Sequence, residues 1–141
     1  TPFEALLQDY LRRFTSPITV IEVDERKALS PLLLRQREGE LLAEKIPEAS
    51  YVVALDPRGK IFSSENLAAF MRQHQDGGMR DICFIVGGAD GLSDDILARS
   101  QLRLSLGAMI WPHLLARVML VEQLYRAQQI LAGHPYHRGS H

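Results

Sequence analysis

Short apolar runs, rich in β-branched residues, recur along the chain between segments that have helical spacing. The runs are ITVIEV (18–23), YVVAL (51–55), DICFIV (81–86) and LRLSL (102–106). Continuous apolar runs of this length are typical of strands that are buried on both faces, as in parallel sheets. Their alternation with helical segments predicts an α/β fold in which helices cover both faces of a largely parallel sheet.

Five segments have apolar residues at helical spacing. They are 2–14, 30–46, 63–75, 92–100 and 112–133. Ser30 can cap the second segment ahead of Pro31, while Pro112 and Gly133 mark the start and the stop of the last one. Neither a repeat nor a linker interrupts this pattern, so residues 1–141 are expected to form a single domain.

The composition is that of an ordinary globular protein, with 46% hydrophobic and 23% charged residues. No apolar run is long enough to cross a bilayer, and the N-terminus does not resemble a signal peptide, which favours a cytoplasmic location. Cys83 is the only cysteine, so a disulfide framework and a cysteine-rich zinc site are excluded. We expect Cys83 to be a small core residue and His74, among polar neighbours, to be solvated.

Basic residues are unevenly distributed along the chain. Residues 99–141 contain five arginines, no lysine and one acidic residue, Glu122. The arginines are Arg99, Arg103, Arg117, Arg126 and Arg138. The guanidinium fork suits bidentate contact with phosphate, so this segregation favours a polyanionic partner near the C-terminal third. A chance distribution over a small protein is the alternative.

The last helical segment is apolar around most of its circumference, with a narrow polar strip of Glu122, Arg126 and Gln129. A helix on the outside of a small α/β domain normally buries only one face. The surplus apolar surface predicts a partner, most simply a second copy of the chain, so a homodimer is expected. The alternative is that other elements of the same subunit cover the helix.

Three predicted strand ends run into loops that carry glycine or proline. They are Leu55 before DPRGK, VGG at 86–88 and LGAMIWP at 106–112. Ligands of parallel sheets bind outside the carboxyl ends of the strands, so these loops are candidates to wrap a small molecule. The GGADG stretch (87–91) does not match the dinucleotide fingerprint G-x-G-x-x-G, and the glycines could instead only shape turns.

The C-terminal tail is rich in side chains that bind metals, stack on bases or move protons. They are His134, Tyr136, His137 and Arg138. No cysteine pair or acidic cluster lies nearby in the sequence to complete a metal site, so no metal is expected. His113 and Arg117 lie four residues apart, which places them on one face at the start of the last helix.

Long stretches of the sequence resemble one known family. VGGADGLS (86–93) and LSLGAMIWPHLLARVMLVEQLYRAQQILAGHPYHR (104–138) are similar to the C-terminal half of the pseudouridine-N3 methyltransferases of the large ribosomal subunit, within the SPOUT superfamily. LQDYLRRF, LLLRQREGELLAEKI and VALDPRGKIFSSENLAAFM fit the same family, so the resemblance covers almost the whole chain. Family members usually begin with an additional strand, which is expected to be missing here, and carry GGPEG in place of GGADG.

The resemblance implies a C-terminal trefoil knot, a homodimer and S-adenosylmethionine as the cofactor. The implied cofactor-binding residues are Leu55, Gly87, Gly88, Gly107, Ala108, Met109, Ile110, Trp111 and Pro112. The implied reaction transfers a methyl group to N3 of a pseudouridine in 23S ribosomal RNA. Because the net charge is only −1, naked RNA should bind weakly, and the expected substrate is the assembled ribosome.

In that reaction the tail is expected to close over the cofactor site. His137, or otherwise His113, would accept the N3 proton, and Tyr136 would stack on or orient the base. The residues expected to hold phosphates or the deprotonated ring are Arg117, Arg126 and Arg138. The alternatives are that the tail only orders the dimer edge, that the chain is a ribosome-binding factor without catalysis, or that it methylates another RNA.

Overall fold

A parallel sheet flanked by helices forms the centre of the protein. The computed structural model describes residues 2–14, 18–22, 31–77, 81–87, 91–107, 109, 111–133 and 136. In chain order these residues form α1 (Pro2–Arg12), β1 (Ile18–Glu22), α2 (Pro31–Lys45), β2 (Tyr51–Ile61), α3 (Ser64–Asp76), β3 (Ile82–Val86), α4 (Asp94–Arg99), β4 (Leu102–Ser105) and α5 (His113–Leu131). The strand order is β1-β3-β2-β4, and every pairing is parallel. The predicted α/β fold is confirmed, whereas the implied knot stays a prediction.

Helices cover both faces of the sheet. Successive side chains of β3 point to opposite faces, as the two-residue period of a strand requires. Phe84 packs with residues of α3 and α5, while Cys83 and Ile85 pack with residues of α2 and α4. All five residues of β3 are buried, which explains why this strand is apolar along its whole length. Cys83 is a core residue, as predicted.

Two faces of α5 are covered within the same subunit. Leu120 and Leu124 pack with the sheet and α3, and Val118 and Val121 pack with α1. Each residue from 113 to 131 is buried or half-buried. Cover by the chain's own elements therefore accounts for part of the apolar surface that predicted a homodimer, and the homodimer itself stays a prediction.

Local signals fix the ends of the later helices. Ser63 and Asn66 form a reciprocal capping box at α3, with the Asn66 amide 3.0 Å from the Ser63 hydroxyl. Pro112 stands at the start of α5, and Gly133 beyond its end has a φ of +71°, a conformation that favours glycine. The predicted start and stop of α5 are confirmed, while Ser30 lies outside the described residues.

The strand β2 is longer than predicted. The sequence indicated a strand over 51–55 followed by a turn, but both Leu55 and Lys60 pair with Leu104 of β4. Residues 56–59, here called the β2 excursion, therefore bulge away from β4, and β2 then pairs with β4 again in a shifted register. Gly59 allows this return, because a Cβ atom there would lie 2.5 Å from the carbonyl carbon of Arg103.

The expectation of a solvated His74 is wrong. Its ring lies 4.1 Å from the ring of Tyr51 and 4.6 Å from that of Phe70, measured between centroids. Phe70 is one turn earlier on α3, whereas Tyr51 comes from β2, so the polar neighbours in the sequence did not indicate this packing. Of the helices that the described residues form, none has the length and hydropathy needed to cross a bilayer.

Candidate functional site

The β2 excursion and the carboxyl ends of β3 and β4 surround one cavity of about 480 Å³. This volume falls within the range of small-molecule sites, about 300–1,000 Å³. The lining includes Leu55, Gly87, Gly107, Met109 and Trp111, one or more from each of the three predicted loops. The loops that the sequence singled out thus meet at one place, because parallel strands end at the same edge of their sheet.

Four further residues complete the implied cofactor set. Gly88, Ala108 and Ile110 lie outside the described residues. Pro112 is the N-cap of α5 and is not among the lining residues. The role of the whole set in cofactor binding therefore stays a prediction.

Two glycines shape the cavity for different reasons. A Cβ atom on Gly87 would lie 2.8 Å from Cδ2 of Leu92 and 3.0 Å from the carbonyl carbon of Gly91, so only glycine lets this segment approach the end of β3. Among the described residues, no atom lies within 4 Å of a Cβ placed on Gly107, but its φ is +111°, which other residues rarely adopt. Gly87 is needed for close packing, and Gly107 for the backbone conformation after β4.

A buried carboxylate holds an exposed arginine at the cavity. Only 6% of the Asp56 side chain is exposed, against 73% for Arg58. The amide, Nε and Nη2 of Arg58 donate hydrogen bonds to the two oxygens of Asp56 at 3.2–3.3 Å. Both residues line the cavity. Sequence reasoning assigned them only to a turn; the Asp-x-Arg spacing after a buried strand was the available signal.

His113 and Arg117 occupy one helix face but have different surroundings. His113, the first residue of α5, lines the cavity. One turn later, Nη2 of Arg117 donates a hydrogen bond to Oε2 of Glu4 at 2.9 Å, and 17% of the arginine side chain is exposed. Arg117 thus links α5 to α1.

Tyr136, in the C-terminal tail, packs where α1 meets α5. Its hydroxyl lies 3.4 Å from that of Tyr10, and its ring meets the ring of Tyr125 edge-on at 4.9 Å. The guanidinium of Arg126 lies 5.0 Å from the centre of the Tyr136 ring. Nε of Arg126 also donates a hydrogen bond to Oε1 of Glu122 at 2.8 Å. This arrangement combines ring packing with a cation–π contact.

Burial raises the pKa of Tyr136 well above its usual value. The hydrogen bond to Tyr10 and the negative charge of Glu122 act in the same direction, whereas Arg126 lowers the pKa. The phenol is therefore neutral near physiological pH. In this state it can donate a hydrogen bond but is not a general base.

The site residues expected from the sequence thus form two groups. The cavity group contains Leu55, Gly87, Gly107, Met109, Trp111 and His113. The group at the α1–α5 contact contains Arg117, Arg126 and Tyr136. His137 and Arg138 lie outside the described residues. Within the part of the chain that the structure describes, no cluster of His, Cys, Asp and Glu is suited to a metal ion.

Comparison with known proteins identifies the family. Residues 1–137 match the family model described as "Predicted SPOUT methyltransferase". The chain belongs to the SPOUT methyltransferase family. Several SPOUT relatives carry the name ribosomal RNA large subunit methyltransferase H. The protein of Paramagnetospirillum magneticum is 45% identical, and that of Dinoroseobacter shibae 46% identical; each match covers 97% of this chain and 90% of the relative.

Among solved structures, one match is a Legionella pneumophila protein in complex with the bound cofactor SAM. The match covers 91% of this chain and 62% of the Legionella chain. The TM-score is 0.46 and the identity 13%. This likeness is too low to support a statement about the present chain, so the family assignment depends on the sequence matches.

Proposed function

We propose that this SPOUT family member is an S-adenosylmethionine-dependent methyltransferase that modifies N3 of a pseudouridine in 23S ribosomal RNA. The observation that carries the proposal is the 45% identity, over 97% of the chain, to a protein named ribosomal RNA large subunit methyltransferase H. That name specifies methyl transfer to the RNA of the large subunit. The choice of pseudouridine N3 comes from the resemblance of residues 104–138 to the family that modifies this atom.

The cavity fits the proposed cofactor in size and in chemistry. When bound, S-adenosylmethionine supplies an electrophilic methyl group on a sulfonium centre. Gly87 and Gly107 expose backbone groups to the cavity, while Leu55, Met109 and Trp111 offer apolar surface for the uncharged parts of the cofactor. The proposed binding set is completed by Gly88, Ala108, Ile110 and Pro112.

The chain's own residues have to remove and hold a proton. N3 of the pseudouridine is an imide N–H and a poor nucleophile until that proton leaves. His137 is the proposed acceptor and His113, in the cavity lining, is the second candidate, because histidine titrates nearest neutral pH. Tyr136, with its raised pKa, is suited to donating a hydrogen bond that orients the base rather than to accepting the proton.

The proposal includes a homodimer. Leu6 and Ile61 are 48% and 74% exposed, and they border a second depression between α1, α5 and the end of β2. Exposed apolar side chains around a depression favour burial against another protein surface. A second copy of the chain on this face would also bring a second tail near each cavity. Combining subunits that carry Tyr136→Ala with subunits that carry Gly87→Ala tests this: restored activity requires sites shared between subunits.

Assembled ribosomes are the proposed substrate. The chain has a net charge of −1, so charge alone binds naked RNA weakly. Arg117, Arg126 and Arg138 are the proposed phosphate contacts, and further contacts would come from the ribosome. Arginine suits this role because its fork donates two parallel hydrogen bonds to one phosphate.

Methyl transfer from labelled S-adenosylmethionine tests the function. Ribosomes, separate large subunits, free ribosomal RNA and transfer RNA are offered as substrates, and the labelled nucleoside is identified after digestion. We expect N3-methylpseudouridine from the assembled particles. Cofactor binding without any transfer would instead support a ribosome-binding factor, and label in transfer RNA would support a different substrate.

A further inference from the structure

One buried hydroxyl joins two loops of the cavity. Ser105 is the last residue of β4 and is 4% exposed. Its Oγ accepts a hydrogen bond from the Gly107 amide at 3.0 Å. The same Oγ lies 3.1 Å from the carbonyl oxygens of both Pro57 and Gly107, and its single proton can be donated to one of them at a time.

The two loops joined in this way belong to different strands. Pro57 lies in the β2 excursion, and Gly107 follows β4. Both residues line the cavity, whereas Ser105 itself does not. The hydroxyl of Ser105 is therefore placed to fix how far apart two walls of the cavity stand without touching a molecule bound between them.

We propose that Ser105 is a positioning residue for the cofactor, acting through Pro57 and Gly107. The inference rests on the proposed function, since it assigns to Ser105 the spacing of the walls that hold S-adenosylmethionine. An alanine at position 105 leaves the Gly107 amide without its acceptor and the Pro57 carbonyl without its donor. Pro57 is exposed and Gly107 half-buried, so both groups can turn to water instead, and the walls lose their fixed separation.

Calorimetric titration of S-adenosylmethionine into Ser105→Ala tests the inference. We expect the affinity to fall about fivefold, the size of effect that the loss of one hydrogen bond of about 1 kcal/mol produces. Ser100→Ala is the matched control, because the Ser100 hydroxyl donates to the Ile96 carbonyl at 2.8 Å and Ser100 is not part of the cavity lining. This control should bind the cofactor as the original protein does.

Kinetics separate positioning from general loss of structure. With Ser105→Ala, KM for the cofactor should rise while kcat at saturating cofactor stays unchanged, because the walls contribute to binding and not to the transfer step. Unchanged affinity in Ser105→Ala, or an equal loss in Ser100→Ala, would overturn the inference. If the original protein does not bind the cofactor at all, the proposed function fails first.

A second variant covers the case in which Ser105→Ala does not fold. Ser105→Thr keeps the hydroxyl and adds a methyl group, in a strand position that β-branched residues favour. We expect Ser105→Thr to retain most of the affinity. Ser105→Val, which lacks the hydroxyl, is the comparison. If Ser105→Thr folds but binds the cofactor as poorly as Ser105→Val, the hydrogen bonds are not the cause of the lost affinity.

Discussion

The hydroxyl groups of Tyr10 and Tyr136 lie 3.4 Å apart, although 126 positions separate the two residues in the chain. Tyr125 packs against both rings, with centroid distances of 5.8 Å to Tyr10 and 4.9 Å to Tyr136. The described end of the tail is therefore attached to the first helix and the last helix together. The packing of α1 on α5 consequently determines the position of Tyr136 in the proposed catalytic tail.

Tyr10→Phe should slow methyl transfer without changing cofactor affinity. The substitution removes the hydrogen-bond partner of Tyr136, and one hydrogen bond of about 1 kcal/mol corresponds to roughly a fivefold loss in rate. Single-turnover methylation of ribosomes measures the effect. Tyr51→Phe is the control, since Tyr51 belongs to a separate aromatic cluster with Phe70 and His74. Equal losses in both variants would contradict a role for the Tyr10–Tyr136 contact.

Gly87→Ala should weaken cofactor binding. The new Cβ atom would meet Leu92 at 2.8 Å and the Gly91 backbone at 3.0 Å, so the segment beside the cavity has to move. Overpacking of this kind typically costs about 1–3 kcal/mol, and we expect at least a tenfold loss of affinity, which corresponds to about 1.4 kcal/mol. Calorimetric titration measures it, with Gly77→Ala as the matched control. Gly77 caps α3, is not part of the cavity lining and has a φ of −80°, so its substitution should leave binding unchanged.

Arg117→Gln should weaken RNA binding, whereas Glu4→Gln should not. Their side chains form an ion pair at 2.9 Å, and half of the Glu4 side chain is exposed. If Arg117 contacts phosphate, removing its charge raises KM for ribosomes, whereas removing the Glu4 carboxylate leaves KM equal or lower, because a nearby negative charge disappears. Steady-state methylation at low and high salt measures both. A similar rise of KM in the two variants would mean that Arg117 only joins α1 to α5.

The free energy of unfolding should fall between about pH 9 and pH 11 through Cys83. Burial raises the pKa of this thiol from 9.0 to about 11; Arg99 opposes the rise and Asp81 adds to it. The unfolded chain then loses the thiol proton first, so the contribution of Cys83 to stability is constant below pH 9 and declines in this window by up to about 1.4 kcal/mol per pH unit. Denaturant titrations of the original protein and Cys83→Ala measure this, and the stability difference between them should shrink as the pH rises. A constant difference across the window would contradict the raised pKa.

Much of the fold follows from local patterns in the sequence. The apolar run of β3 and the capping serine and proline residues near α3 and α5 act within a few residues, so the elements could be assigned from spacing alone. The meeting of the three strand ends followed from a general rule for parallel sheets, because that rule depends on strand direction and not on particular contacts. For the same reason Leu55, Gly87 and Gly107 could be singled out before any coordinates.

The unpredicted features join residues that are distant in the sequence. His74 packs on Tyr51 from another element, and the Tyr10–Tyr136 contact spans nearly the whole chain. In the sequence, Ser105 is an ordinary small residue at the end of a strand. Its proposed role depends on its hydrogen bond to the carbonyl of Pro57, which belongs to a neighbouring strand. Such partners depend on tertiary packing, which periodicity does not encode.

The sequence of the β2 excursion can change while β2 stays paired with β4. Leu55 and Lys60 share the same partner, so the hydrogen-bond ladder with β4 does not depend on how many residues lie between them. Natural variation or engineered grafts at 56–58 that keep Gly59 can therefore alter one wall of the cavity while the neighbouring strands keep their alignment. New ligand preferences can be explored there separately from the stability of the scaffold.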